Sequence, residues 1–108
     1  MTAFYNFGGD GALLTALSGI TVRNSFFFQN TDSNPGNTKG NGLVIQPASA
    51  GNILIENVYT KSNEENNISI TTANGSVTLK NVEVSNANTG YGIYVDNCAL
   101  AGACTAVS

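Results

Sequence analysis

The sequence predicts an all-β chain wound as a solenoid, about four turns of 24–25 residues with three short strands in each. Three observations predict it. Apolar residues alternate with others at period two, which is strand patterning. The alternating runs are short and separated by Gly, Asn and Ser, which are turn residues. The runs also recur in register along the chain, which is the mark of a stacked repeat.

The repeat is clearest in "GITVRNSFFFQN", "GNILIENVYTKSN" and "GSVTLKNVEVSN", which begin at Gly19, Gly51 and Gly75. Ile20, Ile53 and Val77 align, as do Val22, Ile55 and Leu79, and as do Asn24, Asn57 and Asn81. The asparagines are spaced by 33 and then 24 residues. The longer interval contains "NTDSNPGNTKGN", Asn30 to Asn41, whose proline and glycines mark an inserted surface loop. A second motif interleaves: "GNGLVIQ", "NNISITT" and "GYGIYVDN" align on Leu43, Ile68 and Ile93 at intervals of 25. "DGALLT" is an earlier copy of it, with Ala12 and Leu14 in the aligned positions. No long stripe at helical period is present. A sandwich of antiparallel hairpins is the competing fold, but it gives no reason for side chains to recur in register.

These motifs resemble the right-handed parallel β-helix superfamily, which includes pectate lyases and long surface adhesins. The resemblance rests on "ITVRNS", "ILIENV" and "VTLKNV", each followed by an alternating strand and then "GLVI", "ISI" or "GIYV", and it covers Asp10 to Asn97. It implies the right hand of the winding. It also implies that Asn24, Asn57 and Asn81 stack as a ladder at a tight bend between strands. An amide both donates and accepts, so it serves its own turn and its neighbour. Asparagine also tolerates the left-handed backbone such a bend needs.

One domain is expected over residues 1–108: an N-terminal segment 1–9, repeats over 10–97 and a C-terminal end 98–108. Charged residues are only 10% of the chain, against roughly 25% in an average domain. Asn, Ser, Thr and Gly take their place, a mix that fits a secreted or cell-surface β protein. Net charge is −3, with Arg23, Lys39, Lys61 and Lys80 as the only cations. Nucleic acid and anionic membranes both need clustered Lys and Arg, so neither is an expected partner. No apolar run approaches the roughly 18 residues that span a bilayer, and "GALLTALSGI" lacks the basic start of a signal peptide. An exported form is therefore expected to be mature or a piece of a longer chain.

Candidate chemistry is sparse. There is no histidine, and the seven carboxylates do not form a catalytic pair in the pattern, so no enzyme is expected. Arg23, Glu56 and Lys80 align as an alternating-sign row, read either as a binding strip or as charge pairing on a solvated face. Asp32, Glu64 and Glu65 are the candidates for a weak calcium site, the alternative being a solvated turn. Cys98 and Cys104 are either a disulfide closing a small loop or two small buried thiols. In "SFFFQN", Phe27 is expected to point inward, with Phe26 and Phe28 outward beside Tyr59. That outward patch is a candidate contact for a protein partner or a sugar, or it lies buried under the long loop or the N-terminal segment. Tyr94 reads as an isolated outward tyrosine. Asn67 ("NIS") and Asn74 ("NGS") are glycosylation acceptors by pattern.

Neither end of the repeat carries an obvious cap, so both ends are expected to pair. The expected function is a non-enzymatic extracellular structural protein. Its copies stack head to tail as a filament, or it forms part of an adhesin stalk, with cell-surface glycans as further partners. The alternative is a carbohydrate-binding or polysaccharide-cleaving module of the pectate-lyase type.

Overall fold

The computed structural model describes residues 2–4, 9–15, 19–31, 40–46, 51–71 and 76–96. The described residues form eight strands and no helix: β1 (Thr2–Phe4), β2 (Ala12–Leu14), β3 (Ile20–Phe28), β4 (Leu43–Ile45), β5 (Ile53–Lys61), β6 (Ile68–Thr71), β7 (Val77–Ser85) and β8 (Ile93–Asp96). They form two four-stranded sheets, ordered β1-β3-β5-β7 and β2-β4-β6-β8. Every strand pair is parallel. That excludes antiparallel hairpins, and it follows from the sequence: a strand that pairs with one a full repeat away must run the same way.

The aligned positions are cross-strand neighbours. Ile20, Ile53 and Val77 form one row, Val22, Ile55 and Leu79 another, and Leu43, Ile68 and Ile93 a third. Both sheets contribute to a single apolar cluster whose most buried members include Phe27, Leu43, Ile45, Ile53, Ile55, Ile68 and Ile70. Apolar rows of this kind contribute about 25 cal/mol for each Å² removed from water.

The expectation of three short strands per repeat is corrected. The segments on either side of Asn24, Asn57 and Asn81 belong to single nine-residue strands. Each asparagine adopts a left-handed backbone, with φ of 52°, 54° and 49°. The strand turns there, and its pairing lapses for one residue before it resumes. A second left-handed row, Gln29, Ser62 and Asn86, follows the last residue of each long strand and ends it.

In the N-terminal segment, β1 pairs in parallel with Ser25–Phe27 of β3. The pairing stops there. Among the described residues, Ile20–Arg23 have a strand neighbour only on the β5 side. At the opposite limits β7 and β8 likewise pair on one side only.

Thr60 lies inside the core in the row of Phe27 and Val84, 2% exposed, and its hydroxyl makes no hydrogen bond. An unmet buried hydroxyl costs about 1–3 kcal/mol, and valine has nearly the same shape. Thr60→Val is expected to raise the melting temperature. A lower one would show that the hydroxyl has a partner in solution.

Candidate functional site

The polar residues of the repeat gather into three columns that run across the strands. The first is the expected ladder. Asn57 Nδ2 donates to Asn24 Oδ1 at 3.1 Å, and Asn81 Nδ2 donates to Asn57 Oδ1 at 2.8 Å. The Ser25 hydroxyl donates to the Arg23 carbonyl at 2.9 Å and so serves a backbone group at the bend. This column faces solvent: Asn24 and Asn81 are exposed and Asn57 is half-buried. Its contribution comes from the left-handed backbone as much as from the amide bonds. Asn81→Ala is expected to lower stability by about 1–2 kcal/mol, the cost of a left-handed alanine plus an exposed hydrogen bond. Asn81→Gly should recover most of that loss in a denaturant titration, because glycine adopts the bend freely.

The second column is buried, and pattern reading missed it. Asn30, Asn63 and Asn67 are each fully inaccessible. Asn63 Oδ1 accepts from the Asn30 backbone N–H at 3.1 Å and from Asn30 Nδ2 at 2.7 Å. Asn63 Nδ2 donates to Asn67 Oδ1 at 2.6 Å and to the Phe27 carbonyl at 3.3 Å. Asn67 Nδ2 donates to the Ser85 carbonyl at 3.0 Å. The space comes from glycine: a Cβ on Gly42 would lie 2.6 Å from Asn63 Nδ2 and 2.5 Å from the Asn67 carbonyl. One repeat later the sizes exchange. Ala87 stands where Asn30 and Asn63 stood, and Asn67 stands where Gly11 and Gly42 stood. The amide moves from one side of the joint to the other. The signal in the sequence was Asn30 and Asn63 at the same 33-residue interval as Asn24 and Asn57.

Burial also decides Asn67 as a glycan acceptor. With the side chain inaccessible and hydrogen-bonded on both sides, the folded chain is expected to carry no glycan there. Intact-mass measurement after expression in a glycosylating host checks this. Asn74 lies outside the described residues.

The third column lines a groove on the outer face of the second sheet. Asp10 Oδ1 accepts from Asn41 N at 2.9 Å and Asn41 Nδ2 at 2.8 Å. Asn41 Oδ1 accepts from Asn66 N at 3.1 Å and Nδ2 at 3.0 Å, and Asn66 Oδ1 accepts from Tyr91 N at 2.8 Å. Beside it runs the outward row Leu13, Val44, Ser69 and Tyr94. Together with Gln46, Glu65 and Thr89 these residues enclose about 670 Å³. Tyr91 and Tyr94 stand at one end, 66% and 42% exposed, their rings stacked with centroids 6.0 Å apart. Tyr94 is therefore no isolated surface tyrosine, which corrects the sequence expectation. Its partner lies three residues earlier, in the turn before β8. This groove combines aromatic faces with amide and carboxylate groups.

The other candidates are distributed. Phe26 and Phe28 stack at 4.9 Å on the outer face of β3, both half-buried, and Tyr59 is the cross-strand neighbour of Phe26. Lys61 and Glu83 line a depression of about 310 Å³ with Phe26 and Tyr59. On the β1 side Ala3 is the neighbour of Phe26. Arg23 Nε and Glu56 Oε2 are 2.8 Å apart, and Lys80 is the next residue in that row. Glu64 and Glu65 sit in the turn before β6, with backbone N–H groups bonded to the Asn30 and Gly40 carbonyls. Asp32, Cys98 and Cys104 lie outside the described residues. Among the described residues no three His, Cys, Asp or Glu side chains gather as a metal site. No family model, no curated protein and no solved structure matches the chain.

Proposed function

We propose that this chain is a structural module of an extracellular stalk or filament: a right-handed parallel β-solenoid that joins further levels at its two ends. The observation that carries this reading is the pairing at the limits of the two sheets. Among the described residues, Ile20–Arg23 have no neighbour on the side away from β5, and one sheet ends on β7 and the other on β8. Half-buried Leu79, Val82, Val84, Ile93 and Val95 lie at that limit of the core, where a further strand level would cover them. Open edges of this kind pair with other strands unless something blocks them. The neighbours are copies of the chain, head to tail, or the adjoining levels of a longer stalk. A contact that repeats without closing makes a fibre. Light scattering across a concentration series, with electron microscopy of the concentrated sample, tests the reading. A monomer that stays monodisperse and soluble at every concentration would sink it.

The groove favours a second reading, a carbohydrate-binding or carbohydrate-cleaving module. Two stacked tyrosines beside a column of amides offer faces for sugar rings and bonds for hydroxyls. Aromatic contacts of this type contribute about 0.5–1.5 kcal/mol each. Tyr91→Ala and Tyr94→Ala are then each expected to weaken polysaccharide binding by roughly threefold to tenfold, without loss of stability. A screen of neutral and acidic polysaccharides, with and without calcium, tests it. Equal binding by the parent and the double variant would remove the groove from consideration.

A further inference from the structure

We infer that the groove on the outer face of the second sheet selects its sugar by charge, and that its ligand is a linear chain of amino sugars with free amines, not a uronate polymer. The inference rests on the carbohydrate reading of this groove and deepens it by naming the ligand class.

The first observation is where the charges lie. Asp10 and Glu65 line the groove. Asp96 stands two residues beyond Tyr94 on β8, so it projects from the same face. The described cations are elsewhere. Arg23, Lys61 and Lys80 belong to β3, β5 and β7, strands of the first sheet. Lys39 lies outside the described residues, and one cation against three acids leaves this face negative wherever it stands. A polyuronate would bring a carboxylate on every ring to such a face, and like charges repel. A chain of protonated amines meets the opposite sign.

The second observation is the course of the groove. Asp10, Asn41, Asn66 and Tyr91 form one column through their amide bonds. Each stands two residues before β2, β4, β6 or β8, so the four mark successive levels of the sheet. Neighbouring levels are ~4.8 Å apart, about the length of one pyranose unit in a linear chain. An extended sugar chain laid along the column therefore meets one level with each unit. Tyr91 and Tyr94 occupy the last level, their rings stacked and exposed. Aromatic faces take a sugar ring and attract a nearby cation. Glu65 adjoins Asn66 one level away, and Asp10 stands at the far end. A single ring or a single amine cannot use both ends. A chain that repeats its amine on every unit can. Gln46, Ser69 and Thr89 offer neutral polar groups for the ring hydroxyls between.

The test uses the full chain and three β-linked or α-linked linear tetramers: glucosamine, its fully N-acetylated form and galacturonate. Binding is read by calorimetry and amide NMR in mildly acidic buffer with a chelator, so that the sugar amines are protonated and no calcium bridges the uronate. The glucosamine tetramer is expected to bind roughly threefold to tenfold tighter than the N-acetylated one, with the gap closing in salt. Galacturonate should bind weakest. Shifted amides should centre on the groove residues of β4, β6 and β8 and the turns before them. The double variant Asp10→Asn, Glu65→Gln keeps a side-chain oxygen at each position. It should remove the preference for amines while the N-acetylated tetramer binds as before. The salt dependence and the uronate ranking test the same selection on the parent chain, whatever the variant does to folding. Galacturonate binding as tightly as glucosamine, a preference that survives the double variant, or trilysine binding as tightly as the glucosamine tetramer would each overturn the inference. The two readings separate cleanly. An N-acetylated tetramer that binds through Tyr91 and Tyr94 with no preference for amines overturns the charge selection and leaves the carbohydrate reading standing. No binding by any tetramer removes both.

Discussion

An Asn63→Ala chain is expected to lose on the order of 4 kcal/mol of stability, a large part of what a domain of this size holds. The reason is the position of the amide, not its identity. Asn63 serves the Asn30 backbone N–H, Asn30 Nδ2, the Asn67 carbonyl oxygen Oδ1 and the Phe27 carbonyl. All of it lies out of reach of water, since Asn30, Asn63 and Asn67 are fully inaccessible. Alanine leaves two or more of these groups unmet, at about 1–3 kcal/mol each. Gly42, across the joint, has no side chain to take over. Chemical denaturation followed by far-UV circular dichroism reads the loss directly. A cost below about 1 kcal/mol, the scale of an ordinary exposed hydrogen bond, would show that water enters the column and serves it. The solvent-facing Asn81→Ala is the internal comparison, and it should be the milder change by a clear margin.

The second large effect separates three consecutive phenylalanines. Phe27→Ala is expected to cost about 3–5 kcal/mol, since the ring is 1% exposed and packs in the cluster shared by both sheets. Phe26→Ala and Phe28→Ala should each cost about 1 kcal/mol or less, because both rings are half-buried and lean on each other outside the sheet. Melting curves of the three single variants settle the order. Equal losses would mean that the outer pair is covered as completely as Phe27.

Much of this architecture could be read before any coordinates. Leu43, Ile68 and Ile93 recur at a fixed interval of 25, and strands that pair across such intervals must run parallel and in register. The inward side of each strand follows from the period-two alternation aligned across the repeats, which turns Phe27 inward and Phe26 and Phe28 outward. The position of Asn24, Asn57 and Asn81 was equally plain, because the alternation changes phase there.

The errors share one cause. Periodicity reports which way a side chain points, but not what lies opposite. Asn30, Asn63 and Asn67 looked like turn residues, as asparagines between strands usually are. They are buried because two turns close against each other and leave backbone groups that only an amide can satisfy. Tyr94 looked solitary because Tyr91, its partner, belongs to a turn with no strand pattern. The strand pattern is silent on β1 because three residues carry too little alternation to declare a strand, whereas the edge of β3 holds them in register.

Chain order and spacing were thus sufficient for the parallel pairing, the rows and the core, since each depends on repetition along one dimension. The three amide columns and the groove needed the folded molecule. Each is made where residues from separate repeats meet, and whether a polar group there is solvated, satisfied or left open depends on distances that no single stretch of chain contains.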